Sequence, residues 1–372
     1  MRALARVNLA AIERNVAALT GRLSDGAHLC AVVKADGYGH GAVPVARAAR
    51  DGGAHWLAVA TATEAAELRA APIAGPLLVM GALSRDELEV AVDADADLVA
   101  WSEPFVRTVA ETACGRIVAL HVKLDTGMGR LGTRDRDQAM RVAELIESTD
   151  GVAVHGAMTH FATADCDRDF LRRQLEAFVP FAEEMRAAFP SIVVHAANSA
   201  ATLVEPESHF DLVRCGIAIY GCDPMNEDPD AHGLEPALEL SSYLAAVKRA
   251  QPGESAGYGR TFVADRETTI GTLPIGYADG IRRALGNKGD VLVGGRRYPI
   301  AGTVSMDNIT IDLGLSPSVK IGERGTIIGR DGEQRQTAEE LARAIGTINY
   351  EITCGISKRV PREYHRDGVP AE

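Results

Sequence analysis

The chain has 372 residues, of which 46% are apolar and 24% charged. Those are globular proportions with room for a large core, and they exclude disorder as the main state. Asp plus Glu outnumber Lys plus Arg by 51 to 39, a formal charge of −12, and an acidic chain without a basic block argues against a nucleic-acid surface.

Charges at Arg2, Arg6, Glu13 and Arg14 leave no space for the apolar core of a signal peptide. From there to about residue 220, short apolar runs alternate with Ala-, Glu- and Arg-rich stretches of helical period. The spacing predicts strands over 29–34, 56–60, 77–80, 97–101, 117–123, 152–159, 192–195 and 212–219. Between them it predicts helices such as 43–50, 63–69, 86–92, 103–113, 135–147 and 168–189. The apolar runs are continuous, as in parallel strands covered on both faces. Eight such units in about 220 residues fit a (β/α)8 barrel. A doubly wound open sheet has a similar alternation, and the count of eight favours the barrel. The uncharged stretch 70–83 is broken by Pro72, Gly75 and Pro76. It is too short to cross a bilayer, so no membrane partner is expected.

Composition shifts after Tyr220. Residues 222–236 hold three prolines and several acids and read as a linker. Beyond them the pattern turns to period two, with strands expected over 247–251, 269–277, 290–293, 298–303, 309–313 and 326–328. Thr337 and Glu340 form a capping-box pattern ahead of the apolar residues 341–345. The chain is therefore divided into a barrel over 1–232 and a mostly β domain over 233–372, with roughly the first ten residues open to pairing with the β domain. Six scattered cysteines form no C-x-x-C pair, which fits a reducing, cytoplasmic location.

Barrel active sites lie at the C-terminal ends of the strands. Lys34 ends the first predicted strand and Lys123 the fifth, with Asp125 and Arg130 in the loop beyond. His160 follows the sixth, Asn198 and Ser199 the seventh, and Arg214 and Gly216 lie in or near the end of the eighth. The apolar run before Lys34 would strip its hydration, lower its pKa and leave an amine able to form a Schiff base with an aldehyde. A solvated or ion-paired lysine is the commoner meaning of such a position. Gly37, Gly39 and Gly41 would let backbone approach a ligand, or simply form a βα loop; their spacing is neither the dinucleotide nor the nucleoside-triphosphate pattern. Ser199 and the amides of Gly216 and Ile217 suit a phosphate, and Ser199 reads equally as the cap of a helix over 200–204. His155, His160, His195 and His209 have no metal-ligand spacing, so no metal is expected. There is no G-x-S-x-G elbow for a serine hydrolase.

The run Val-Val-Lys34-Ala-Asp-Gly-Tyr38-Gly-His-Gly41 resembles the pyridoxal-phosphate lysine motif of the alanine racemases. Lys123-Leu-Asp-Thr-Gly-Met-Gly-Arg130-Leu-Gly is similar to their second signature. Thr159-His160-Phe-Ala, Ala197-Asn198-Ser199-Ala, Arg214-Cys-Gly216-Ile217, Gly257-Tyr258-Gly-Arg and Gly276-Tyr277-Ala-Asp-Gly280 follow in the family's order. So do Ser305-Met306-Asp307, Asn349-Tyr350-Glu and Ile356-Ser-Lys-Arg-Val-Pro-Arg. The resemblance spans nearly the whole chain and removes most of the weight from a merely structural Lys34.

The resemblance implies a barrel plus β domain in a homodimer, each site joining one barrel to the partner's β domain. Lys34 would hold pyridoxal 5′-phosphate. Tyr38, Ser199, Gly216, Ile217 and Tyr350 would hold the phosphate, with His160 and Asn198 also lining the cofactor site. Arg130 would bond the ring hydroxyl and help bind substrate, and Arg214 would face the pyridine nitrogen. Tyr258, from the other subunit, would be the second catalytic residue. Met306 and Tyr277 of that subunit would bind substrate or line its entrance. In many members the lysine matching Lys123 is carbamylated, which makes Lys123 a candidate for that modification. The implied activity interconverts L-alanine and D-alanine, a small amino acid, and supplies D-alanine for cell-wall peptidoglycan. A broader amino-acid racemase and a barrel decarboxylase are the rival enzymes, and the decarboxylases carry a carboxylate in the role of Arg214. A non-catalytic pyridoxal-phosphate carrier is the rival from another class, but carriers resemble a lone barrel. Cys215 stands where many members have proline and Ser305 where many have cysteine; both are expected to tune activity and not abolish it.

Overall fold

The structure is a computed structural model that describes residues 1–315 and 317–371. The described residues form two compact units, one of Ile12–Gly37 and Ala42–Ile219, the other of Met1–Ala11, Tyr38–Gly41 and the described residues from Tyr220 onward. No helix is long and apolar enough, among the described residues, to cross a membrane.

A first strand, β1 (Leu4–Asn8), belongs to the second unit. The first unit is a closed parallel barrel. Its strands are β2 (His28–Val32), β3 (Trp56–Val59), β4 (Leu77–Val79), β5 (Asp97–Ala100), β6 (Val118–Lys123), β7 (Val152–Met158), β8 (Val193–Asn198) and β9 (Leu212–Cys215). All eight coincide with expected strands, and β2 closes on β9. Every residue of β3 and β4 is buried, which is why these strands read as unbroken apolar runs. The helices between them start where short polar side chains accept orphan amides. Thr61 and Ser84 form capping boxes with Glu64 and Glu87, and Asp135 and Asp167 cap the helices Arg136–Glu147 and Arg168–Ala188.

Three expectations need correction. The first barrel strand ends at Val32, and Lys34 opens a left-handed turn in which Ala35, Asp36, Gly37 and Tyr38 have φ of 52°, 53°, 60° and 52°. The eighth ends at Cys215, and Ile217–Tyr220 is a short 3-10 turn. The helix after the seventh is capped by Asn198, whose Oδ1 accepts from the Ala201 amide at 3.0 Å; Ser199 is its first residue and not its cap.

The second unit is mostly β. It holds β10 (Leu238–Tyr243), β11 (Ala246–Ala250), β12 (Ser255–Ala256), β13 (Phe262–Val263), β14 (Thr268–Leu273) and β15 (Asp290–Val293). It continues with β16 (Arg296–Pro299), β17 (Ile309–Gly314), β18 (Arg324–Asp331), β19 (Gln334–Gln336), β20 (Arg362–Arg366) and β21 (Val369–Pro370). One sheet runs β16-β15-β18-β10-β1-β20-β21, with β19 beside β18. A second runs β11-β14-β17, and β12-β13 form a ribbon. Thr337 and Glu340 make the expected capping box, with Thr337 Oγ1 accepting from the Glu340 amide at 3.2 Å, and the helix Ala338–Ile345 ends on Gly346 at φ 72°.

Candidate active site

The left-handed turn places Lys34 one residue beyond Val33, whose amide still bonds Ala58 of β3. Left-handed φ at Ala35 and Asp36 is strained, of order 1–2 kcal/mol per residue, and such strain collects where a site over-determines the backbone. Here Glu64 accepts from the Ala35 amide at 2.7 Å, and Asp36 Oδ1 accepts from the Ala42 amide at 2.9 Å. The turn is held from both sides.

At the ends of the other strands the barrel gathers cations around one imidazole. Burial pushes the His160 pKa well down, and the charges of Arg214, Lys123, Arg130 and Lys34 push it further. Arg214 is 2% exposed. Its Nη1 lies 2.8 Å from His195 Nδ1, and its Nη2 faces Thr159 O, Ala196 O and His160 Nδ1 at 2.8, 2.9 and 3.2 Å. All four partners are neutral acceptors, and among the described residues no carboxylate pairs with this guanidinium. Burial lowers its pKa to about 10, so it stays charged at neutral pH. Lys123 is buried at the end of β6, and burial together with the charges of Arg214 and Arg130 lowers its pKa to about 8. Asp125 shapes the following loop by accepting from the amides of Gly127 and Gly129 at 3.1 and 3.0 Å, and Arg130 is exposed. The Ser199 hydroxyl accepts from the Gly216 amide at 2.9 Å and the Ala218 amide at 3.4 Å, which draws together the chain beyond β8 and the chain beyond β9. The donor set fits an anionic ligand. Four cations and a hydroxyl lie at these strand ends, the Gly216 and Ala218 amides donating to that hydroxyl, and Asp125 spends its lone pairs on its own loop.

The β unit carries the remaining expected residues. Tyr258 is 74% exposed, Met306 51% and Tyr277 43%. The Tyr277 amide bonds Ser305 O at 2.9 Å and the Ala278 amide bonds Met306 O at 3.0 Å, so Tyr277 and Met306 sit on two laced loops. Asp279, fully buried, accepts from the Gly276 amide at 2.9 Å and pairs with Arg2 and Arg359. The Tyr38 ring lies 5.0 Å from Tyr220 and 6.0 Å from Tyr350. Sequence reasoning gave no role to Asp279, Asp97 or His121 and weighed His195 only as a metal ligand, whereas Asp97, His121 and His195 bond in series inside the barrel. One signal was available for the last group: a histidine between Leu120 and Val122 in an otherwise apolar strand.

Residues 7–224 match the family described as the alanine racemase N-terminal domain, and residues 237–364 the alanine racemase C-terminal domain. The alanine racemase of Thermobifida fusca is 43% identical over 366 residues, covering 97% of each chain. That of Symbiobacterium thermophilum is 41% identical over 364 residues, covering 97% of this chain and 96% of the relative. The crystal structure of alanine racemase from Streptomyces lavendulae superposes with a TM-score of 0.93 at 39% identity, covering 98% of this chain and 97% of that one. With both halves matched in order and over nearly their full length, the chain belongs to the alanine racemase family of isomerases.

Proposed function

We propose that the chain interconverts L-alanine and D-alanine with pyridoxal 5′-phosphate, through two acid–base groups, Lys34 and Tyr258. The observation that carries this reading is Arg214, a buried cation held only by neutral acceptors. When bound, the cofactor supplies an electron sink that acidifies the α-proton of an amino acid. Arg214 keeps its protons at neutral pH and, facing the pyridine nitrogen, would not protonate it, which would restrain that sink and favour return of the proton to Cα over decarboxylation. Lys34 holds the cofactor and moves the proton on one face. Ser199, Gly216 and Ile217, with Tyr38 and Tyr350, hold the phosphate, and Asn198 fixes the helix that carries Ser199. Arg130 bonds the ring hydroxyl and the substrate, and in a second copy of the chain the Met306 amide takes the substrate carboxylate beside that copy's Tyr277.

Tyr258 acts from a second copy of the chain on the opposite face. Two groups on two faces are what racemisation requires, since the proton leaves one side and a proton returns on the other. His160 prepares the phenol. It accepts from Arg214 at Nδ1, so its one proton sits on Nε2, and from there it donates to the tyrosine oxygen and favours the phenolate. Tyr350 and the Tyr277 of a second copy line the entrance and favour a small side chain. The D-alanine serves peptidoglycan, made in the cytoplasm by a homodimer.

Chiral chromatography with L-alanine tests the reaction. Lys34→Ala is expected to lose racemisation and the borohydride-fixed link between chain and cofactor. Tyr258→Phe is expected to keep cofactor binding and to take up solvent deuterium from L-alanine at least about a hundredfold more slowly, the scale of a lost general base. A borohydride-trapped lysine other than Lys34, or unchanged deuterium uptake, overturns the assignment.

A further inference from the structure

Arg214 does not end its hydrogen bonding at His195. His195 Nε2 lies 2.7 Å from His121 Nδ1, and His121 Nε2 lies 3.0 Å from Asp97 Oδ2. His155 Nδ1 reaches the same carboxylate oxygen at 2.5 Å. The series runs from β9 through β8 and β6 to the first residue of β5. Because β6 and β8 are not neighbours, the two imidazoles meet across the barrel interior, over β7.

The direction of every bond is set at the two ends together, by a guanidinium that can only donate and a carboxylate that can only accept. His195 must accept at Nδ1, so its single proton is on Nε2 and is donated to His121. His121 must then carry its proton on Nε2 and donate to Asp97. Every donor points from Arg214 toward one carboxylate. Burial holds both imidazoles neutral, with the Arg214 charge adding to the effect at His195. Burial works against the Asp97 charge, but the bonds from His121 and His155 outweigh it and hold the carboxyl below its usual range.

The backbone is built around this series. The β6–β7 register shifts between Leu120 and His121, which leaves His155 as an extra residue on β7, and the β8–β9 register shifts between His195 and Asn198. Bulges of this kind re-aim side chains. A Cβ on Gly156 would collide with the His121 ring, so glycine opens the space the ring occupies. Trp56 packs edge-on against His121 at 5.6 Å.

Asp97, His121 and His155 also bring their ligand atoms within 4.8 Å of one another. A cation there would need the His121 Nε2 lone pair. The proton would move to Nδ1, His195 would have to accept it, and its own proton would turn onto Nδ1 against Arg214. The relay and a metal ion are therefore incompatible.

We propose that Asp97 and His121 are positioning residues for Arg214: by terminating a one-way hydrogen-bond relay they hold His195 as an acceptor toward the guanidinium. Its effect on catalysis rests on the role given to Arg214 above, whereas the relay itself does not. The test uses the holoenzyme labelled with 15N-histidine, in which two-bond 1H–15N correlations distinguish ring tautomers. The parent is expected to show His195 and His121 each with its proton on Nε2. Asp97→Leu removes the final acceptor, so the protons redistribute and His195 loses its single tautomer. Gly156→Ala keeps every polar group but displaces the His121 ring, and is expected to do the same. In both, kcat falls roughly tenfold, the lower end for losing an orienting partner, with KM within about twofold because substrate contacts are untouched. Asp97→Asn retains an acceptor oxygen and retains the tautomer. A parent His195 protonated on Nδ1, or folded Asp97→Leu and Gly156→Ala proteins with unchanged tautomer and kcat, overturns the proposal. If the parent shows the tautomers but does not racemise alanine, the functional reading fails and the relay stands.

Discussion

Lys123 shows how a single position acquires chemistry from its neighbours. Burial and two nearby guanidiniums favour its neutral amine and bring the pKa to about 8. A neutral amine can add to the carbon of CO2 and release a proton, forming a carbamate. The product is an anion among cations, so Arg130 and Arg214, which oppose the ammonium, favour it. The sign with pH follows: raising pH through 8 increases the free amine, so occupancy by carbamate is expected to rise between pH 7 and pH 9 at fixed dissolved CO2. 13C NMR of protein equilibrated with 13C-bicarbonate reads this directly as a carbamate carbonyl signal, absent in Lys123→Ala. An equally strong signal in that variant would assign the modification elsewhere.

At the scale of elements, the two laced loops of the β unit explain how an exposed Tyr277 and an exposed Met306 are kept in place. A Cβ on Gly276 would collide with the carbonyls of Ser305 and Met306, so the loops touch backbone to backbone. Gly276→Ala is expected to part them, with a stability loss of about 1–3 kcal/mol as in other overpacked sites. On the proposed substrate role of Met306, the KM for L-alanine rises several-fold while the cofactor absorbance is unchanged; unchanged KM in a folded variant would separate these loops from the substrate. The barrel strands were readable in the sequence because burial on both faces makes them unbroken apolar runs. The helix at Ala338 was readable because a capping box is local. The turn after Lys34 was not, since neither Ala35 nor Asp36 demands left-handed φ and the bonds that impose it run from the Ala35 amide to Glu64 and from the Ala42 amide to Asp36. Nor were β10 and β20, short strands whose pairing partners lie far along the chain, although the pairing of the first residues with the β domain was expected and β1 makes it. The cations at the strand ends could be placed from strand order alone. The relay behind Arg214 could not, because it depends on two register shifts that leave no mark on residue type.

At the scale of the whole molecule, the β unit presents Tyr258 to solvent at 74% exposure, an unusual position for a group assigned to proton transfer, and a second copy of the chain is the proposed reason. In a symmetric dimer with composite sites, Lys34 of one subunit works with Tyr258 of the other, and the two sites are equivalent. That arrangement makes a quantitative prediction from two inactive proteins. A dimer pairing one Lys34→Ala chain with one Tyr258→Phe chain holds one site with both defects and one with neither. If the two variants are mixed, dissociated and reassociated at random, half of the dimers are hybrids, so about a quarter of all sites are intact. Racemisation is expected to return to about a quarter of the parent rate, and the KM for L-alanine to equal the parent's, because the restored sites are native ones. If each site were built within one chain, every hybrid site would carry a defect and mixing would restore nothing. Activity that stays at the level of the separate variants, in a sample whose subunit exchange is verified by differential labelling, would refute the shared site.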